Sequence, residues 1–189
     1  MLYQDWDLEL TGKRIRITPM RAEDAEAYGR LMFGRMYDQF AEACGGPPPT
    51  GLEDILAHTA SDETHALRLP DDDAFIGWIT LQKDLEAKPD IGISLVPEQR
   101  NRGLGTEAIV LFVNRLYAEY GIPCVYARVS VLNPQSRKAF EKVGAVADRV
   151  DEDCRMKPIR EQMPEEKEQE ISMPKMIYYH IDLPASVKD

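Results

Sequence analysis

The stretch ISLVPEQRNRGLGTEA runs from Ile93 to Ala108 and sets the architecture of the chain around it. An apolar run enters a basic turn, and the turn opens a helical pattern. Ile109, Phe112, Val113 and Leu116 recur at helical spacing, and the pattern continues to Tyr120. Gly121-Ile122-Pro123 stops it, and CVYARVSV from Cys124 to Val131 reads as a strand. A strand, a crossover helix and a second strand make one parallel pair. The turn also carries chemistry. Gly103 and Gly105 remove side chains where a ligand would approach the backbone. The first amides of the helix lack internal partners, and their dipole favours an anion such as a pyrophosphate. Arg100 and Arg102 add positive charge at the rim.

Toward the N-terminus, Arg14 to Ile17 alternates and reads as a first strand. Met20 to Ala43 reads as helical, weakened at Gly29 and Gly34, and CGGPPPTG from Cys44 to Gly51 cannot continue it. LEDILAHTA is a short second helix with Thr50 as its cap. THALRL and AFIGWITLQ read as antiparallel strands joined by the turn PDDD. Lys88-Pro89-Asp90 reads as another turn, before the buried strand IGISLV.

Toward the C-terminus, PQSRKAFEKV is a helix ended by Gly144, and AVADRV is a short strand. Residues 151–174 form an acidic, proline-containing insertion, read as a surface arm. KMIYYHIDL is the last strand. The expectation is one mixed α/β domain over residues 1–189. Its sheet has about six or seven strands, largely antiparallel with one parallel pair, and helices on both faces. The chain is expected to be a monomer or a homodimer, an exposed last strand being the edge a partner would use.

Composition narrows the partners. The 189 residues are 43% hydrophobic, enough for a core without disulfides. With 23 basic and 33 acidic residues the net charge is −10, which argues against nucleic acid as a partner and fits attraction of cationic substrates. No run of about 18 apolar residues predicts a membrane span. MLYQDWDLELTGKR lacks the pattern of a signal peptide, so a cytoplasmic location is expected. Cys44, Cys124 and Cys154, with His58, His65 and His180, have no metal-ligand spacing, and no metal is expected. Cys124, Phe75 and Trp78 read as core, His58 and His65 as surface residues. Tyr178, Tyr179 and His180 read as packing residues of the last strand.

Three phosphate-site readings compete for the turn. No G-x-x-x-x-G-K-[ST] string exists, which removes a P-loop. GLGTEA fits a relaxed dinucleotide fingerprint, but PEQRNR separates it from its strand, and the next strand carries Arg128 where an acid should bind ribose. The third reading is coenzyme A. Arg100-Asn101-Arg102-Gly103-Leu104-Gly105 fits the signature Q/R-x-x-G-x-G/A, and NPQSRKAFEKVGA from Asn133 to Ala145 fits N-x-x-S/A-x-x-x-F/Y-E-K-x-G-F/A. Together with LTGKRIRITPMRAEDAEAY at Leu10 to Tyr28, these resemble the GNAT superfamily of N-acetyltransferases, in its ribosomal-protein N-terminal acetyltransferase-like subgroup. The resemblance spans about Leu10 to Val150 and the last strand.

The resemblance implies a GNAT fold and acetyl-CoA as the acyl donor. IGISLV and CVYARVSV would splay apart, with pantetheine between them against backbone groups of Leu95 and Val96. Amides of Asn101, Arg102, Gly103, Leu104, Gly105 and Thr106 would hold the pyrophosphate. Asn133 and Ser136 would hydrogen-bond the coenzyme. The acceptor would be a primary amine on a small molecule, a peptide N-terminus or a protein, attacking directly in a ternary complex. Many relatives place a tyrosine acid where this chain has Phe140, so Ser136 is the candidate proton relay to the thiolate. Asp90 is the candidate base, although its plain reading as part of the turn KPD is preferred. Glu98 reads as solvated, and Ser94 has equal claims as an acceptor-facing group and an ordinary strand serine. A non-catalytic acyl-CoA-binding module is the alternative, and a nicotinamide enzyme is the distant third.

Overall fold

A computed structural model of the chain describes residues 8–34, 63–83, 88–152 and 174–188. Among these residues eight strands form one sheet. They are β1 (Leu10–Thr11), β2 (Arg16–Pro19), β3 (Glu63–Arg68), β4 (Phe75–Lys83), β5 (Pro89–Leu95), β6 (Cys124–Ser130), β7 (Val146–Glu152) and β8 (Lys175–Asp182). Their order is β1-β2-β3-β4-β5-β6-β8-β7. All neighbours run antiparallel except β5 and β6. The helices described are α1 (Ala25–Phe33), α2 (Leu104–Tyr120) and α3 (Pro134–Lys142).

The period-2 alternation of the strands sends Ile17, Leu67, Ile79, Ile91, Val125 and Ile181 to one face, where all are buried. Against them α2 lays Leu104, Ala108, Ile109, Phe112, Val113 and Leu116, and α3 adds Phe140. The opposite face receives α1, through Ala25 and Tyr28 packed on Trp78, Phe75, Met20 and Met32. The Tyr28 and Trp78 rings meet edge to face at 6.0 Å. Arg68 Nη2 bonds Asp24 Oδ2 at 2.5 Å in a buried pair that fastens the start of α1 to β3. The expected architecture of a mixed sheet, one parallel pair and helices on both faces is therefore present.

Several details differ from the sequence reading. The sheet has eight strands rather than six or seven, because β1 is a two-residue ladder too short to show a period. The first strand of the reading begins two residues later, at Arg16, and runs through Pro19. β8 is not an exposed edge. It lies between β6 and β7, and among the described residues β7 is the outermost strand at that end. Asp151 and Glu152, counted with the acidic arm, belong to β7. His65 is buried rather than exposed, its ring 5.9 Å from that of Phe112 on α2. Cys124, Phe75 and Trp78 are half-buried. The expected helix at 52–60, with His58, Cys44, Cys154, the loop 44–51 and the arm from 153 to 173, lies outside the described residues.

One glycine escaped the sequence reading. A Cβ on Gly77 of β4 would sit 2.2 Å from the carbonyl oxygen of Ser94. Only a residue without a side chain lets β4 approach β5 this closely, at the end of β5 that leads into the turn.

Candidate active site

β5 and β6 share a single bridge, between Asp90 and Tyr126, and pair at no residue beyond it. β5 nevertheless stays in register with β4 from Pro89 to Leu95. Among the described residues, therefore, no strand pairs with the flank of β5 that a parallel neighbour would cover toward its C-terminal end. Val96 N–H donates to the Ile76 carbonyl on β4 at 2.9 Å. Successive residues of a strand turn their amides and carbonyls to opposite flanks, so those of Leu95 face the gap. The Leu95 carbonyl accepts from Arg100 Nε at 2.8 Å. Of the two residues expected to meet pantetheine, Leu95 turns its N–H into the gap and Val96 turns its own to β4.

Side chains on this part of β5 alternate as well. Asp90, Gly92 and Ser94 share the α1 face, opposite Gln82, Thr80 and Trp78 of β4. Ser94 is half-buried, and its hydroxyl makes no hydrogen bond to the described residues. Asp90 does not lie in a turn, contrary to the preferred reading of KPD. Pro89 and Asp90 open strand β5, and Asp90 is 5% exposed. Arg128 Nε donates to its Oδ2 at 3.0 Å across the parallel pair. Arg128 was visible in the sequence as a cation inside an apolar strand, but nothing there named its partner.

The turn after β5 is a single 3-10 turn (Pro97–Gln99) followed by two left-handed residues, Asn101 at φ 59° and Gly103 at φ 76°. Asparagine tolerates that conformation, and glycine adopts it freely. Gly103 is also the N-cap of α2, and no side chain caps the helix. The leading amides, those of Leu104, Gly105 and Thr106, thus lack a side-chain cap, as an anion site requires. Leu104 and Thr106 bury their side chains, so only their backbone can meet a ligand. Arg102 Nη1 donates to Gln99 Oε1, while Arg102 and Asn101 remain exposed. A Cβ on Gly105 would meet Leu95 Cδ1 at 3.5 Å, an ordinary contact, so alanine fits there.

Sequence reasoning missed the brace of this turn. Arg14 donates to Glu107 twice, from its backbone N–H at 2.8 Å and from Nε at 2.9 Å. Its Nη1 donates to the Arg102 carbonyl at 2.8 Å. Its Nη2 lies 3.2 Å from the point a Gly103 Cβ would occupy. Glu107 puts a carboxylate in the first turn of α2, beside the uncapped leading amides. Arg14 offsets that charge and ties the turn to the start of β2. The two residues are 93 apart in sequence, and no local signal joins them.

At the far side of the gap, Asn133 caps α3, its Oδ1 accepting from Ser136 N–H at 3.0 Å. Its exposed amide group is left as a donor. The Ser136 hydroxyl is half-buried and makes no hydrogen bond to the described residues. Phe140 is buried and stacks on Tyr179 with centroids 6.4 Å apart and planes at 16°. Tyr179 OH donates to Glu141 Oε1 at 3.1 Å. Burial first, and then that bond, pushes the phenol up. The second block therefore presents no phenol to the gap. Tyr126, at the bridge itself, is also pushed up, chiefly by the adjacent Cys124 thiol.

Residues 14–146 match the family described as the acetyltransferase (GNAT) domain. The chain belongs to that family. GNAT proteins use acetyl-CoA, and acetyl transfer to amine acceptors is the family's reaction. Solved structures agree on the fold. A GNAT-family acetyltransferase from Bacillus anthracis superposes with a TM-score of 0.67 at 16% identity, covering 93% of this chain and 98% of its own. An acetyltransferase from Agrobacterium tumefaciens gives 0.63 at 20%, covering 92% and 93%. Mycobacterium smegmatis RimJ in complex with CoA-disulfide gives 0.63 at 15%, covering 94% and 88%. No curated protein matches the sequence significantly. Among the described residues no helix is long and apolar enough to cross a membrane.

Proposed function

We propose that the chain is a cytoplasmic acetyl-CoA-dependent N-acetyltransferase that delivers the acetyl group to a primary amine by direct attack in a ternary complex. One observation carries the reading. β5 and β6 part beyond the Asp90–Tyr126 bridge, and the uncapped N-terminus of α2 stands at the end of the open strand. A slot for a flexible chain and a cradle for its anionic end are thus joined. Acetyl-CoA, when bound, supplies an activated carbonyl and a thiolate leaving group.

The residues divide the remaining work. Amides from Asn101 to Thr106, with Arg100 and Arg102 at the rim, hold the pyrophosphate. The Leu95 N–H faces the gap and donates to the oxygen on which charge develops. Asn133 fixes the coenzyme from the α3 side through its exposed amide. Ser94, on the acceptor face, accepts a hydrogen from the attacking amine and orients it. The Ser136 hydroxyl relays a proton through water to the thiolate. Asp90 is set aside as base, because its carboxylate is buried at the root of the gap and its Oδ2 is taken by Arg128. Water in the gap takes the proton instead. The acceptor is an amine-bearing small molecule, a peptide or a protein N-terminus.

The buried Phe140 and the engaged Tyr179 hydroxyl favour one competitor, a module that binds acyl-CoA without turning it over. Release of free thiol from acetyl-CoA separates the two. A panel of polyamines, amino-terminal peptides and small primary amines should give amine-dependent release well above hydrolysis. Binding without amine-dependent release would establish the module and sink the enzyme.

A further inference from the structure

The buried Asp90–Arg128 pair stands at the root of the gap. The backbone joins β5 to β6 only at Asp90 and Tyr126. Arg128 lies two residues farther along β6, where the strands have begun to part. Its guanidinium reaches back to Asp90 at 3.0 Å, and the two side chains are 5% and 6% exposed. Ion pairs this dry are uncommon, because removing both charges from water is costly unless their mutual geometry is good. The same residues made apolar would pack the strands at less cost, so stability alone does not account for them. What a directional hydrogen-bonded charge pair fixes, and an apolar contact does not, is the separation of two strands that share no ladder beyond it.

We infer that Asp90 and Arg128 are positioning residues whose ion pair sets the opening between β5 and β6, and so governs how the pantetheine arm seats. The inference rests on the coenzyme reading above. It assigns the pair no contact with the pyrophosphate turn, which is braced separately by Arg14. The pair therefore acts on one half of the coenzyme and not on the other.

That asymmetry is the test. Calorimetry measures coenzyme A and its phosphoadenosine diphosphate half, which lacks pantetheine, on wild type and on Asp90→Asn/Arg128→Met. The double variant removes both charges of the pair together. Arg128→Lys, which keeps charge and stem but shortens the tie, is the second variant, and thermal melts establish that each is folded. The double variant should bind coenzyme A about tenfold or more weakly, with phosphoadenosine diphosphate unchanged within about twofold, and the lysine variant should fall between. Should the double variant not fold, the lysine variant must show the same split. Equal losses for both ligands, or no loss in a folded variant, overturn the inference while the coenzyme reading stands. A wild type that binds neither ligand overturns both.

Discussion

Arg14 and Arg128 each hold a carboxylate through Nε, at 2.9 Å and 3.0 Å, and yet they work in different media. The Arg14 side chain is 54% exposed and its partner Glu107 19%, whereas Arg128 and Asp90 are 5% and 6% exposed. In water the attraction of such a pair is screened and offset by the entropy of holding long side chains. In a dry interior it is strong, but it must first cover the desolvation of both ions. Equal distances thus describe unequal bonds. The exposed pair shapes the turn proposed to hold the coenzyme, which must remain open to solvent. The buried pair sets the spacing of two strands that the backbone no longer joins.

The contrast breaks first on stability. Arg128→Ala removes the guanidinium that faces the buried Asp90 carboxylate, and the expected loss is about 3–5 kcal/mol in urea unfolding. A loss near that of a surface substitution would mean that water already reaches the pair. The next effect is smaller and falls on binding. Arg14→Ala should cost only about 0–1 kcal/mol of stability. It also frees Glu107 to repel an anion at the first turn of α2 and loosens the Arg102 carbonyl. Phosphoadenosine diphosphate should then bind about tenfold more weakly at low salt, with the difference narrowing as added salt screens the charges. A salt-independent loss would point to a distorted turn rather than to electrostatics.

What the sequence discloses follows the same division. The stretch from Ile93 to Tyr120 reads correctly because everything in it is local. The helix appears over Leu104–Tyr120 as its apolar spacing predicts, and Gly103 takes the left-handed φ that a tight turn into a helix asks for. The residues that went unread are held by distant partners. Arg14 meets Glu107 across 93 positions, and Arg128 meets Asp90 across 38. Lys88-Pro89-Asp90 has the composition of a turn, yet tertiary pairing with β4 draws Pro89 and Asp90 into a strand. His65 reads as polar and therefore external, while its register opposite Ile79 turns it toward α2. The last strand in sequence inserts between β6 and β7 instead of forming an edge, an order that no periodicity encodes.

The proposed seat of the coenzyme is the turn between β5 and α2. Calorimetric titration of acetyl-CoA into wild type and into Gly103→Asp/Gly105→Asp, with folding of the variant verified by circular dichroism, tests it most directly. Both substitutions put a carboxylate in the cradle, and the first also strains a left-handed backbone. Binding at about micromolar concentrations in wild type, lost in the folded variant, is the predicted result. No binding to wild type, or equal binding to the variant, would contradict it.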